Sequence, residues 1–166
     1  KMAFLIAQLS KSEIRSINIT AEGEISEYLD SLQTFATVGV LAVSCGDEVN
    51  YVNANFIAKE KGIDLTTSEF SNHSGYQNKV SINITTPTGV KTISGTVFNE
   101  DVQRIVEING FPLDIEPKGK MIIMRNHDVP GVIGEVGKIL GNNNINIADF
   151  RLSRGKDGAL AVILID

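Results

Sequence analysis

The sequence predicts an α+β protein in two parts, and three observations carry that expectation. Apolar residues at helical spacing fill most of residues 1–61, around a single alternating strand. From residue 80 to 108 the apolar positions switch to period two and are separated by Gly, Pro and Asn turn signals. After residue 120 the order becomes strand, helix, strand, strand, joined by a Pro-Gly pair, an Asn-rich stop and an Asp-Gly turn.

Residues 1–10 place Met2, Leu5, Ile6 and Leu9 on a helix whose other side, with Ala3, Phe4 and Ala7, is also apolar, so it expects burial on more than one face. Ile17 and Ile19 alternate with Ser16, Asn18 and Thr20 in a half-buried strand over 14–20, and a turn follows at 22–24. Between 27 and 44, the run through Leu29, Leu32, Phe35, Val38, Val40, Leu41 and Val43 is dense enough for a buried helix, with Gly39 as the place for a break. Residues 50–61 give a further helix, capped by Asn53 or Asn55 and stopped by Gly62. Phe56 and Ile57 open its buried face, and Lys59 and Lys61 face solvent. Val80, Ile82 and Ile84 then alternate, residues 86–89 turn into a strand over 90–98, and Val102, Val106 and Ile108 open another that ends at Asn109-Gly110. These strands read as an antiparallel meander. Pro112 and Pro117 mark residues 111–119 as a boundary, dividing the chain into 1–117 and 118–166.

In the second part residues 121–124 read as a continuously apolar central strand. Pro130 suits the first helical position; Ile133, Val136 and Leu140, with Val132 and Ile139 alongside, form one apolar face, and Gly134 and Gly137 let it approach the sheet. Residues 141–144 end the helix. Ile145 and Ile147 share one parity while Phe150 and Leu152 share the other, which requires a bulge near Ala148 or Asp149. Asp157-Gly158 turns the chain into an apolar strand over 159–165. This is the order of a ferredoxin-like βαββαβ unit without its last helix and strand.

A net charge of -5, with 15 Lys and Arg against 20 Asp and Glu and no basic cluster, argues against nucleic acid as a partner. No apolar run reaches the roughly 18 residues of a membrane span and no charged leader precedes the first helix, so the expectation is a soluble, cytoplasmic chain. Cys45, the single cysteine, excludes an internal disulfide and a cysteine metal cage and reads as a small buried hydrophobe. No metal site is expected. His73 reads as a solvated loop histidine, and the Asn-x-Ser/Thr triplets at Asn18, Asn72 and Asn83 are of a kind common by chance. The chain opens at Lys1 inside a helical segment and closes at Asp166 directly after a strand, so a longer protein is expected.

One stretch concentrates polar groups between apolar elements. A helix starting at Pro130-Gly131 presents unpaired N–H groups and a positive dipole end, which suit a carboxylate. Asp128 offers the opposite charge for an ammonium, and Asn126 and Asn146 supply both donors and acceptors. An amino acid matches all three. The competing reading makes Asp128 a helix cap and the asparagines loop formers, and the chemistry leaves both open. A dinucleotide site fits poorly, because Gly131, Gly134 and Gly137 recur every three residues within the helix instead of forming G-x-G-x-x-G in the turn.

The stretch RNHDVPGVIGEVGKILGNNNINIADFRLSR, residues 125–154, resembles the ACT domain at the C-terminus of D-3-phosphoglycerate dehydrogenases, the NAD-dependent enzymes that open serine biosynthesis. VNYVNANFIAKEKGI and RIVEINGFPLDI are similar to the intervening domain of the longer members. The resemblance implies a mixed α/β intervening domain followed by a truncated ACT domain, a regulatory fragment with no catalytic residue of its own. It implies L-serine bound between two ACT domains by Asn126, Asp128 and Asn146, with backbone N–H groups around Gly131 and Val132. That binding would inhibit, by feedback, the oxidation of 3-phosphoglycerate. Arg104 falls where an anion or substrate site of the intervening domain is expected, although Phe111 and Glu116 stand where some relatives are basic. NAD and the catalytic domains would lie upstream, with no cofactor on this fragment, and ACT–ACT contacts imply a homo-oligomer. Two further readings use the same pieces: the regulatory portion of an iron-sulfur L-serine dehydratase, with its cluster cysteines outside this stretch, and an amino-acid-sensing ACT module of another enzyme.

Overall fold

The computed structural model describes residues 1–70, 74–99, 101–155 and 158–166. In chain order the first part comprises α1 (Met2–Leu9), β1 (Ser16–Glu22), α2 (Leu29–Cys45), α3 (Ala54–Glu60), β2 (Asp64–Glu69), β3 (Lys79–Thr86), β4 (Gly89–Phe98), β5 (Val102–Ile108) and β6 (Phe111–Ile115). The second comprises β7 (Lys120–Asn126), α4 (Val132–Asn142), β8 (Ile147–Gly155) and β9 (Gly158–Ile165). Helices and sheets mix as the α+β expectation requires.

The first sheet has the order β2-β1-β3-β4-β5-β6. From β1 through β6 the neighbours are antiparallel, the expected meander, but β1 and β2 run parallel because α2 and α3 carry the chain back between them. Alternation assigns the faces. Ile17, Ile19, Ile82, Ile84, Ile93, Ile105 and Ile108 are buried in one cluster with Ala3, Ile6 and Ala7 of α1 and Val40 and Leu41 of α2. On the other face Asn18 Oδ1 accepts from Thr20 Oγ1 at 3.1 Å and Asn83 Nδ2 at 3.2 Å, while Thr92 Oγ1 donates to Asn83 Oδ1 at 2.9 Å. Cross-strand hydrogen bonds thus satisfy the polar parity.

Several elements differ from their expectation for local reasons. α2 continues unbroken through Gly39, where a side chain's Cβ would lie 2.8 Å from Cβ of Ala3. The glycine serves the α1–α2 crossing, and close packing offsets its helix-propensity cost of roughly 1 kcal/mol. α3 buries Ala54 and Ala58, spaced i to i+4, and leaves Phe56 63% exposed, because its inward side approaches α2 and β2 closely. Asn53 stands at the N-cap without capping; its Oδ1 accepts from the Asn50 N–H at 2.8 Å and so fastens the preceding turn. Gly62 does adopt the left-handed conformation, with φ of 69°. Residues 111–115, expected in the boundary, form β6. Pro112 is accommodated there because β6 is an edge strand with a register shift beside it. The helical run Glu24–Glu48 is long and apolar enough to cross a membrane by length and composition; its α2 portion lies against α1 and β1, with Ala36, Thr37, Val40 and Leu41 buried.

The second sheet has the order β7-β9-β8, all antiparallel pairs. β9 is its central strand, with Ala159, Leu160, Ala161, Val162, Ile163 and Leu164 buried, while β7, expected at the centre, lies at an edge among the described residues. The expected bulge appears as a register shift between Ile147 and Asp149. Asp157 lies outside the described residues, but the reversal expected there brings Gly155 opposite Gly158. α4 starts at Val132, two residues after Pro130, because Gly131 takes the N-cap with φ of 95°. Val132, Val136 and Leu140 form its inward stripe, whereas Ile133 and Ile139 are 50% and 57% exposed. Gly134 and Gly137 meet open space and do not pack on the sheet. The two sheets share one core: Leu160, Val162 and Leu164 belong to the cluster that holds Phe111, Ile115 and the first-sheet isoleucines.

Candidate functional site

β7 ends at Asn126, whose Oδ1 accepts the backbone N–H of Asp128 at 2.7 Å and curls the chain into an Asx turn. Asp128 adopts φ of 52°, a left-handed conformation that Asp tolerates better than most residues. Gly131 then caps α4, and its carbonyl accepts the first helical hydrogen bond, from the Glu135 N–H at 3.0 Å. The N–H groups of the first turn, from Val132 onward, have no partner within the helix. These residues edge a cleft of about 210 Å³, lined among others by Asn126, Asp128, Gly131, Val132, Leu152 and Arg154. The structure therefore brings together four of the five expected effector residues.

Asn146 is the exception. β9 pairs at Ala159 with Asn126 and Arg154, and at Ile165 with Lys120 and Ile147, so the cleft and Asn146 lie at opposite ends of the second sheet. Six strand steps at about 3.3 Å separate those rows by roughly 20 Å. At its own end Asn146 donates from Nδ2 to Asp166 Oδ2 at 3.4 Å.

Arg154 and Leu152 of β8 are cleft residues that sequence reasoning missed, as are Val129, Pro130 and Ile133 beside the expected ones. Arg154 Nε donates to Asp128 Oδ2 at 2.8 Å, so the carboxylate expected to await a ligand already holds an internal cation. The Asp157-Gly158 signal implies that β8 and β9 are antiparallel, but the level of residue 154 with residue 126 depends on the registers of β7 and β8 on β9. His127 is exposed and does not line the cleft.

Arg104 occupies a different place. On β5 its Nε lies 3.4 Å from Asp114 Oδ1 of β6, beside a cleft of about 830 Å³ that Lys1, Asn78 and Gln103 also line. Phe111 is buried and Glu116 pairs with Lys118 at 2.5 Å, so neither adds positive charge. The Lys118 hydrogen bond and charge hold the Glu116 carboxyl below its ordinary pKa. Among the described residues no group of three His, Cys, Asp or Glu side chains could hold a metal. Cys45 is half-buried, and His73 lies outside the described residues. Gly134 and Gly137 sit within α4, so these glycines do not form a dinucleotide cradle.

A family model described as the D-3-phosphoglycerate dehydrogenase intervening domain matches residues 1–109, and one described as the ACT domain matches residues 120–166. A D-3-phosphoglycerate dehydrogenase of Bacillus subtilis is 37% identical over 166 residues, covering 99% of this chain and 32% of that protein. Enzymes of the same name from Synechocystis and Archaeoglobus fulgidus are each 30% identical, over 90% and 92% of this chain and 27% and 29% of their own lengths. The chain thus spans about a third of the length of these relatives.

Proposed function

This chain belongs to the family of the D-3-phosphoglycerate dehydrogenase intervening domain, with an ACT domain behind it, and on that premise we propose that it senses L-serine as the regulatory region of such an enzyme. The observation that carries the reading is one cleft in which the Asp128 carboxylate and the opening N–H groups of α4 share a wall. The ammonium of L-serine meets Asp128, its carboxylate lies toward the N–H of Val132, and the side-chain amide of Asn126 is within the same lining. A role for Asn146, roughly 20 Å away, requires it to reach the cleft of a second copy, and the reading therefore includes a homo-oligomer joined through this part of the chain. Exposed Val129, Ile133 and Ile139 supply apolar surface near the cleft for that contact.

The catalysis so regulated, NAD-dependent oxidation of 3-phosphoglycerate in the cytoplasm, belongs to domains outside this chain. An anion drawn to Arg104 would compete with Asp114 for the guanidinium. Feedback requires a coupling of about 1–3 kcal/mol between effector and catalytic sites.

Thermal unfolding of the native protein against a panel of amino acids tests the reading, together with its dehydrogenase rate. L-serine is expected to give the largest stabilisation, about 2.7 kcal/mol at a hundred times its Kd, and to slow the reaction. A larger effect from another amino acid contradicts the assignment of L-serine.

A further inference from the structure

We propose that Arg154 sets the charge class of ligand the cleft accepts: with Asp128 it forms a closed ion pair that a zwitterion opens, the ligand's ammonium taking Asp128 while its carboxylate, one oxygen toward the Val132 N–H, gives the other to the guanidinium. This rests on the reading of the cleft as an amino-acid site.

The position of Arg154 follows from sheet register. Asn126, Ala159 and Arg154 form one row across β7, β9 and β8, and directly paired residues point to the same face. The central residue of that row is alanine, whose short side chain leaves the long Arg154 side chain room to cross. The guanidinium reaches Asp128 through Nε, at 2.8 Å from Oδ2. The guanidinium is a planar fork of donors, so on leaving Asp128 it can pair with a ligand carboxylate.

Charge decides which ligands gain from this arrangement. An amine without a carboxylate must displace Arg154 from Asp128 and leaves the guanidinium without a partner. An anion without an amine either draws Arg154 away and leaves Asp128 without a partner, or keeps only the Val132 N–H and lies beside the Asp128 carboxylate. A zwitterion re-pairs both ends, so discrimination comes as much from what the other ligands leave unpaired as from what the right one contacts. Opening the pair is easy, because the Arg154 side chain is 70% exposed and exposed ion pairs contribute little.

Calorimetry on the native full-length assembly tests this, with L-serine, serinol (the amine alone) and glycerate (the hydroxy acid alone) titrated into the parent and Arg154→Gln. The parent is expected to prefer L-serine to either probe by at least about tenfold, the scale of one charge-assisted hydrogen bond. In Arg154→Gln, L-serine should weaken by a similar factor while serinol tightens, since Asp128 is freed; Arg154→Lys should fall between. Unchanged or tighter L-serine binding in a folded Arg154→Gln protein would overturn the proposal. If the parent ignores L-serine but binds another amino acid, the L-serine assignment fails and the same comparison, made with that amino acid, judges Arg154. If no common amino acid binds the parent, both fall.

Discussion

Truncating Phe111 to alanine is expected to destabilise the protein by about 3–5 kcal/mol, read as a lowered urea midpoint with an unchanged slope. Phe111 is 6% exposed at the start of β6, the edge strand of the first sheet that faces β8 of the second. A Cβ added at Gly155 of β8 would fall 2.8 Å from the Phe111 ring, so the glycine is what lets the ring seat itself. From β7, the Arg125 guanidinium lies 5.5 Å from the ring centroid, a cation–π contact worth about 0.5–1 kcal/mol at an exposed site. Burial of the ring is therefore the larger effect. Because the ring ties both edges of one sheet to the other, its removal is large against a total stability of about 5–15 kcal/mol. Phe111→Leu, which refills most of the space, should cost no more than about 1.5 kcal/mol; a loss below about 1 kcal/mol in Phe111→Ala would show that the ring does not join the sheets.

Asp128→Asn is expected to weaken L-serine binding by about tenfold to a hundredfold, the loss of a hydrogen bond to a charged group worth about 1.5–3 kcal/mol. Asparagine is the informative replacement because it tolerates the left-handed backbone at φ of 52°, which alanine would strain. The variant loses the Arg154 ion pair as well, but exposed pairs contribute only about 0–1 kcal/mol, so the unfolding midpoint should barely move. Calorimetry beside urea denaturation separates the two effects. Strong destabilisation with unaltered affinity would make Asp128 a loop-shaping residue.

Much of this arrangement is legible in the sequence because its signals are local. Alternation at Ile17 and Ile19 and at Ile82 and Ile84 determines which face of the first sheet is buried, whatever the strand order. The change of parity between Ile147 and Phe150 requires a bulge, and one is found. What escaped reading depends on contacts between distant elements. β2 has only Leu65 half-buried among exposed residues, so nothing in its own pattern signals the parallel pairing with β1. The rotation of α4 about its axis, which leaves Ile133 and Ile139 outside, is decided by which stripe meets the sheet. At the candidate site, Asn126 and Asp128 were readable from loop chemistry, and their neighbours Gly131 and Val132 from the helix start. The place of Asn146 at the far end of the sheet, and of Arg154 at the near end, follows only from the register of β8 on β9.

The most direct test of an L-serine site at the β7–α4 junction is an amide chemical-shift titration of the native protein with L-serine. Resonances of Asp128, Gly131 and Val132 should shift and saturate together, with Asn146 moving at the same ligand concentrations although it lies roughly 20 Å away within one chain. Absence of saturable shifts at Asp128 and Gly131, or shifts confined to the surroundings of Arg104, would contradict it.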